Sequence, residues 1–124
     1  MRVLIIDDDA LYRGLVVEAL SYEGYEVAQA SNPTNALRLL NTDSNFTVIL
    51  CDLQMNGLDG IELLRELRSK YPHIPVIVTS AHSSENGIGA RASQEAAYYL
   101  AKPFRITTLV NIIQNIDQLR AKLA

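Results

Sequence analysis

At 124 residues and 48% hydrophobic content, the chain has apolar material for one core and no room for a second domain. Eleven basic against fourteen acidic residues give a net charge of −3 with no basic run, which argues against a nucleic-acid surface and makes protein the expected partner. The start has no basic flank leading into a long apolar stretch, and no run approaches the roughly 18 residues a membrane helix needs, so a soluble, unprocessed, cytoplasmic domain over residues 1–124 is expected.

Strand-like and helix-like patterns alternate five times, which predicts an α/β fold with helices on both faces of a mostly parallel sheet. Val3 to Ile6 is the first expected strand. The helix after it, from about Leu11 to Ser21, places Leu11, Leu15, Val16, Ala19 and Leu20 at helical spacing, and Gly24 suits a left-handed C-terminal cap. Tyr25 to Gln29 is the second strand, and Asn32-Pro33 then opens a helix running from Thr34 to Leu40 with proline at its start. The polar loop Asn41 to Asn45 leads to a third strand, Phe46 to Cys51. Cys51 within it reads as a small buried hydrophobe rather than a redox thiol. Beyond the loop Gln54 to Leu58, a helix is expected from near Gly60 to Lys70, broken by Tyr71-Pro72-His73-Ile74-Pro75. Val76 to Thr79 is the fourth strand, and the helix expected next, Glu85 to Gln94, is weakened by Gly87 and Gly89. Tyr98 to Leu100 and a long helix, Ile106 to Leu123, complete a (βα)5 unit.

Chemically distinctive residues stand just past these strands: Asp7 and Asp8 after the first, Asp52 after the third, Ser80 after the fourth, Lys102 after the fifth. In a parallel sheet the carboxyl ends of the strands share one edge, and ligands bind there. Three carboxylates, a hydroxyl and an ammonium at one edge suit a phosphoryl group and a divalent metal. Carboxylates so crowded repel one another without metal, so at least one pKa is expected to rise.

Four motifs carry a resemblance: Leu4-Ile-Ile-Asp-Asp-Asp9, Cys51-Asp-Leu-Gln-Met-Asn-Gly-Leu-Asp-Gly60, Pro75-Val-Ile-Val-Thr-Ser-Ala-His82 and Tyr99-Leu-Ala-Lys-Pro-Phe104. In order and spacing the chain resembles the receiver domains of two-component response regulators. The resemblance implies a flavodoxin-like, doubly wound fold with a five-stranded parallel sheet in the order 2-1-3-4-5. It makes Asp52 the phosphoacceptor, attacking a phosphoryl group held by a sensor histidine kinase, a phosphotransfer protein or a small acyl phosphate. Asp8, Asp7 through water, Asp52 and the backbone carbonyl of Gln54 would hold Mg2+, with Mn2+ as the alternative ion. Asp9 is read as the cap of the following helix in preference to a further ligand. Lys102 would pair with a phosphoryl oxygen, aimed inward by a cis bond to Pro103. Ser80 and Tyr99 resemble the family's switch pair. Through them phosphorylation would alter the surface of the fourth helix, fifth strand and fifth helix, and strand alternation sets their neighbours Thr79 and Tyr98 on the opposite side. Gln54 and His82 would tune hydrolysis of the phosphoryl group, while the small Ala81 leaves the site open.

Departures from the family lie around the site. Asn56 stands where proline is usual, Ser80 where threonine is commoner, and Glu95 where glycine commonly ends the fourth helix. In the last helix Leu109, Ile112, Ile116, Leu119 and Leu123 recur at alternating steps of three and four, as in a short coiled-coil seam. Such a seam would let the domain form a homodimer or continue into a linker helix. The same spacing fits a helix packed wholly on its own core, with Ile106, Leu109, Val110 and Ile113 toward the sheet, and two heptads do not decide between them. Two other functions stand beside the phosphorylated switch. A receiver that binds partners without phosphorylation sits poorly with the complete set Asp7, Asp8, Asp52, Ser80 and Lys102. A magnesium phosphohydrolase of the haloacid dehalogenase type shares the Asp-x-Asp pattern, but Leu11 stands where that family usually has threonine or valine. After Lys102 the only acid is Asp117.

Overall fold

Continuous apolar runs make strands that are buried on both faces, and β3 (Val48–Asp52) and β6 (Val76–Ser80) are closed to solvent along their whole length. The structure is a computed structural model that describes residues 1–55, 58–80 and 98–123. With β1 (Arg2–Ile6), β2 (Glu26–Ala30) and β7 (Tyr98–Ala101), these strands form a parallel five-stranded sheet in the order β2-β1-β3-β6-β7. Numbered among themselves, the five strands follow the expected 2-1-3-4-5 order. An unforeseen ribbon separates the third and fourth of them. In it β4 (Gln54–Met55) pairs antiparallel with β5 (Leu58–Asp59). The sequence carried a signal for it, the Asn56-Gly57 pair, which favours tight hairpins.

Helices cover both faces. On one, α2 (Pro33–Thr42) and α3 (Ile61–Lys70) bring Ala36, Leu40, Leu64 and Leu67 against Leu4, Ile6, Ile49 and Val78. On the other, α1 (Ala10–Tyr22) and the C-terminal helix (Ile106–Leu123) bring Val16, Leu20, Leu109, Ile113 and Ile116 against Val3, Ile5, Leu50 and Ile77. Consecutive strand residues thus alternate between the two cores. Helix starts follow the sequence closely: Asn32 caps α2 by accepting from the Asn35 amide at 2.8 Å, with Pro33 in the first turn. Gly24 takes the expected positive φ of 88° just after α1.

The buried face of α1 differs from the expected one. Leu11 and Leu15 are 77% and 54% exposed, while Tyr12, Val16 and Leu20 turn inward at steps of four. Polar contacts at its start fix the rotation of the helix. Asp9 accepts from the Tyr12 amide at 3.1 Å, and the Arg13 guanidinium donates to the Asp7 carbonyl at 2.6 Å. Periodicity alone does not contain that phase. The expected helix Glu85 to Gln94 and the departures Asn56 and Glu95 lie outside the described residues.

Candidate functional site

Parallel strands deliver the site to one edge. Asp7 and Asp8 follow β1, Asp52 and Ser80 end β3 and β6, and Lys102 follows β7 directly. Backbone bonds continue past the strand ends, from the Asp7 amide to the Ala30 carbonyl at 3.1 Å, from Leu53 to Thr79 at 2.9 Å and from Lys102 to Ser80 at 2.7 Å. The loops are therefore anchored before their side chains make any contact.

Asp7, Asp8 and Asp52 each bring a carboxylate oxygen within 4.8 Å of the others. Asp7 and Asp52 are buried and Asp8 half-buried. The Lys102 ammonium bridges the buried pair, 3.0 Å from Asp7 Oδ2 and 3.3 Å from Asp52 Oδ2. The other oxygens of this pair accept backbone amides, Asp7 Oδ1 from Asp9 at 2.9 Å and Asp52 Oδ1 from Gln54 at 3.1 Å. The Lys102-Pro103 peptide is cis, as the resemblance implied. Lys102 Nζ also lies 4.4 Å from the centroid of the Tyr12 ring, and that ring meets Phe104 edge to face at 5.8 Å and 89°.

Electrostatics follow from burial and crowding. Burial is the main cause that raises the Asp52 pKa to about 6. The Gln54 amide and Lys102 pull it down, and the charge of Asp7 adds to the rise. A raised carboxylate was expected from repulsion, but desolvation is the larger part. Burial works against the charge of Lys102, yet Asp52 and Asp7 outweigh it and hold that pKa above the ordinary lysine value. Burial first, then the neighbouring Asp52 and Asp7, push the Cys51 thiol up to about 12, so it stays protonated as an inert core residue. The hydroxyls of Ser80 and Tyr99 are closed to solvent and have no hydrogen-bond partner among the described residues. A buried hydroxyl left so is costly, and an oxygen-rich group at the site would offer Ser80 an acceptor.

A model of the response regulator receiver domain family matches residues 3–114. The chain belongs to this family. The receiver is 31% identical over 112 residues to the response regulator protein FleR of Pseudomonas aeruginosa, covering 90% of this chain and 24% of FleR. It is 36% identical over 110 residues to the response regulator MprA of Mycolicibacterium vanbaalenii, covering 89% of this chain and 47% of MprA. It spans less than half the length of either relative. A solved receiver domain from Clostridium thermocellum matches with a TM-score of 0.86 at 31% identity, over 99% of this chain and 98% of that one. TrrA of Thermotoga maritima, solved in complex with Mg2+ and BeF, matches with a TM-score of 0.80 at 29% identity, over 93% and 97% of the two chains. Membership makes this chain a domain of two-component signalling rather than a classical metabolic enzyme.

Within the receiver, Asp7, Asp8, Asp52 and Lys102 are brought together, with Ser80 at the same sheet edge and the Gln54 amide bound to Asp52. Tyr99 packs on the α2 and α3 side while Tyr98 packs on the α1 side, as alternation required. His82 and Ala81 lie outside the described residues. Of the coiled-coil stripe, Leu109 and Ile116 are buried in this chain's own core and Ile112 is half-buried against it, as in the alternative of a helix packed on its own core. Leu119 is exposed, and the Leu123 side chain lies outside the described residues.

Tyr12 and Arg13 went unnoticed in the sequence, and Phe104 entered only as the last residue of a motif. A signal for Tyr12 existed, since helical side chains lean toward the N-terminus, and the third residue of α1 therefore leans over the acidic loop before it.

Proposed function

We propose that this receiver is a phosphorylation-dependent switch in which Asp52 accepts a phosphoryl group from the histidine of a sensor kinase or phosphotransfer protein, or from a small acyl phosphate. A single observation carries the reading: a buried carboxylate at a strand end, held by an amide on one oxygen and by Lys102 on the other, beside two further acids. One Asp52 oxygen attacks phosphorus, the bond from phosphorus to the donor breaks, and the leaving imidazole departs neutral after taking a proton. The product is an aspartyl phosphate. Lys102, already between Asp7 and Asp52, shifts its hydrogen bond to a phosphoryl oxygen.

The donor set fits a hard divalent cation, because three carboxylates with ligand atoms within 4.8 Å suit Mg2+, and Mn2+ accepts the same oxygens. Asp7, Asp8, Asp52 and the Gln54 carbonyl would hold it. When bound, the ion supplies positive charge that shields the phosphoryl oxygens from the approaching carboxylate. The Mg2+ and BeF complex of the similar TrrA supports this reading.

Ser80 donates its hydroxyl to a phosphoryl oxygen, and Tyr99 responds by changing the packing of β7. The altered surface, made in part by β7 and the C-terminal helix, regulates an output domain or partner. Gln54 and His82 tune the lifetime of the phosphoryl group. The switch turns over no metabolite, contacts no nucleic acid or membrane itself, and works in the cytoplasm. No described helix is long and apolar enough to cross a membrane.

Intact mass after incubation with acetyl phosphate and Mg2+ tests the reading. One phosphoryl adduct is expected, absent in Asp52→Asn and absent with a chelator. No adduct on a folded wild-type protein would overturn it.

A further inference from the structure

We propose that Tyr12 is a positioning residue for Lys102. The inference deepens the phosphoacceptor reading and rests on it for the kinetic part only. A lysine ammonium sits on a flexible four-carbon stem with freely rotating donors, so a pair of carboxylates attracts it without fixing its direction. The Tyr12 ring supplies the missing wall. Lys102 Nζ lies 4.4 Å from its centroid, well inside the range of about 6 Å in which a cation is drawn to a ring. The ring is braced in turn. Phe104, two residues beyond Lys102, meets it edge to face at 5.8 Å, and both rings pack against the core under α1 and the C-terminal helix. The Tyr12 amide is bonded to the Asp9 carboxylate, which fixes the first turn of the helix that carries the ring.

The chemistry gives such a wall a purpose. During phosphoryl transfer the ammonium gives up a carboxylate oxygen and takes a phosphoryl oxygen. An ion pair resists that exchange, because its energy belongs to one particular acceptor. A ring face attracts the cation without offering a fixed acceptor, so it holds the ammonium near the reacting atoms while leaving its hydrogen bonds free to change. The hydroxyl has no part in this. It is closed to solvent and has no hydrogen-bond partner among the described residues. The aromatic face is the working feature, and a phenyl ring provides it equally.

Two measurements test the assignment. The ε-methylene protons of Lys102, assigned by comparison with Lys102→Arg, should be shifted upfield by the ring current in the wild type and in Tyr12→Phe, and lose the shift in Tyr12→Leu. In parallel, the rate of Asp52 phosphorylation by acetyl phosphate should fall on the order of tenfold in Tyr12→Leu, the scale of a desolvated cation-ring contact. Tyr12→Phe should restore it and unfold at a temperature no lower than the wild type. Loss of packing alone would give no rescue specific to a ring. An unshifted Lys102 in the wild type, or a Tyr12→Leu rate equal to wild type, overturns the inference. Equal loss in Tyr12→Leu and Tyr12→Phe assigns the effect to the hydroxyl and overturns it as well. If the wild type takes no phosphoryl group, the phosphoacceptor reading fails while the ring-current shift still decides whether Tyr12 holds the lysine.

Discussion

Asp52 shows how a buried carboxylate at the candidate site carries a stability cost. Its pKa is raised from an ordinary carboxylate value to about 6, with burial as the first cause, so the folded protein holds a proton there that the unfolded chain has released. Between the unfolded value near 3.8 and the folded value of about 6, stability therefore falls as pH rises, and above pH 6 the full cost is present. Asp52→Asn removes the charge while leaving Lys102 paired with Asp7 at 3.0 Å. In metal-free buffer at neutral pH the variant should be more stable by about 1 kcal/mol, a figure reduced from the full shift because solvent screens the mouth of the site. The gain should shrink as pH falls through 6 and vanish below 3.8, read from urea unfolding at several pH values. Crowded acids were legible from Asp7, Asp8 and Asp52 in the sequence. That burial outweighs mutual repulsion was not, because depth depends on how β3 sits in the middle of the sheet.

At the scale of elements, Gly60 joins the acidic loop to α3. A Cβ built on it would lie 2.8 Å from Leu53 Cα and 2.9 Å from the Leu53 carbonyl oxygen, backbone atoms that cannot swing aside. The Gly60 amide also donates to that carbonyl at 2.7 Å, so the start of α3 is pressed against the residue next to Asp52. Gly60→Ala should cost about 1–3 kcal/mol in urea unfolding with an unchanged denaturant slope, as other overpacked sites do. A fully stable Gly60→Ala protein would contradict the packing. Most elements were readable to within one or two residues from apolar runs, Asn32-Pro33 and the segment after Lys70. The phase of α1 was not, because Leu11 and Leu15 mimic a buried face while the contacts of Asp9 and Arg13 turn Tyr12, Val16 and Leu20 inward. Tyr12 was overlooked for the same reason.

Over the whole molecule, two cores share one sheet, and the C-terminal helix spends its apolar residues on one of them. Leu109 and Ile116 are buried and Ile112 half-buried, which leaves Leu119, 53% exposed, as the outward member of the stripe whose side chain is described. Among the described residues, that is too little apolar surface for a stable pair through this stripe, given that standard interfaces bury about 800 Å² on each partner. Sedimentation of the unphosphorylated receiver should give a monomer mass across concentrations, and the same for Leu119→Glu. A mass that rises with concentration and is reset by Leu119→Glu would restore the seam. One backbone bond gives the sheet a mechanical property as well. The Lys102 amide is tied to the Ser80 carbonyl at 2.7 Å, so the hydroxyl and the amine that the proposed switch directs to one phosphoryl group hang from a single tether. Tension on either would be felt by the other and by β7, the edge strand of the sheet, so under the proposed switch this tether would be a direct mechanical linkage between a chemical event at the centre and a change of shape at the rim.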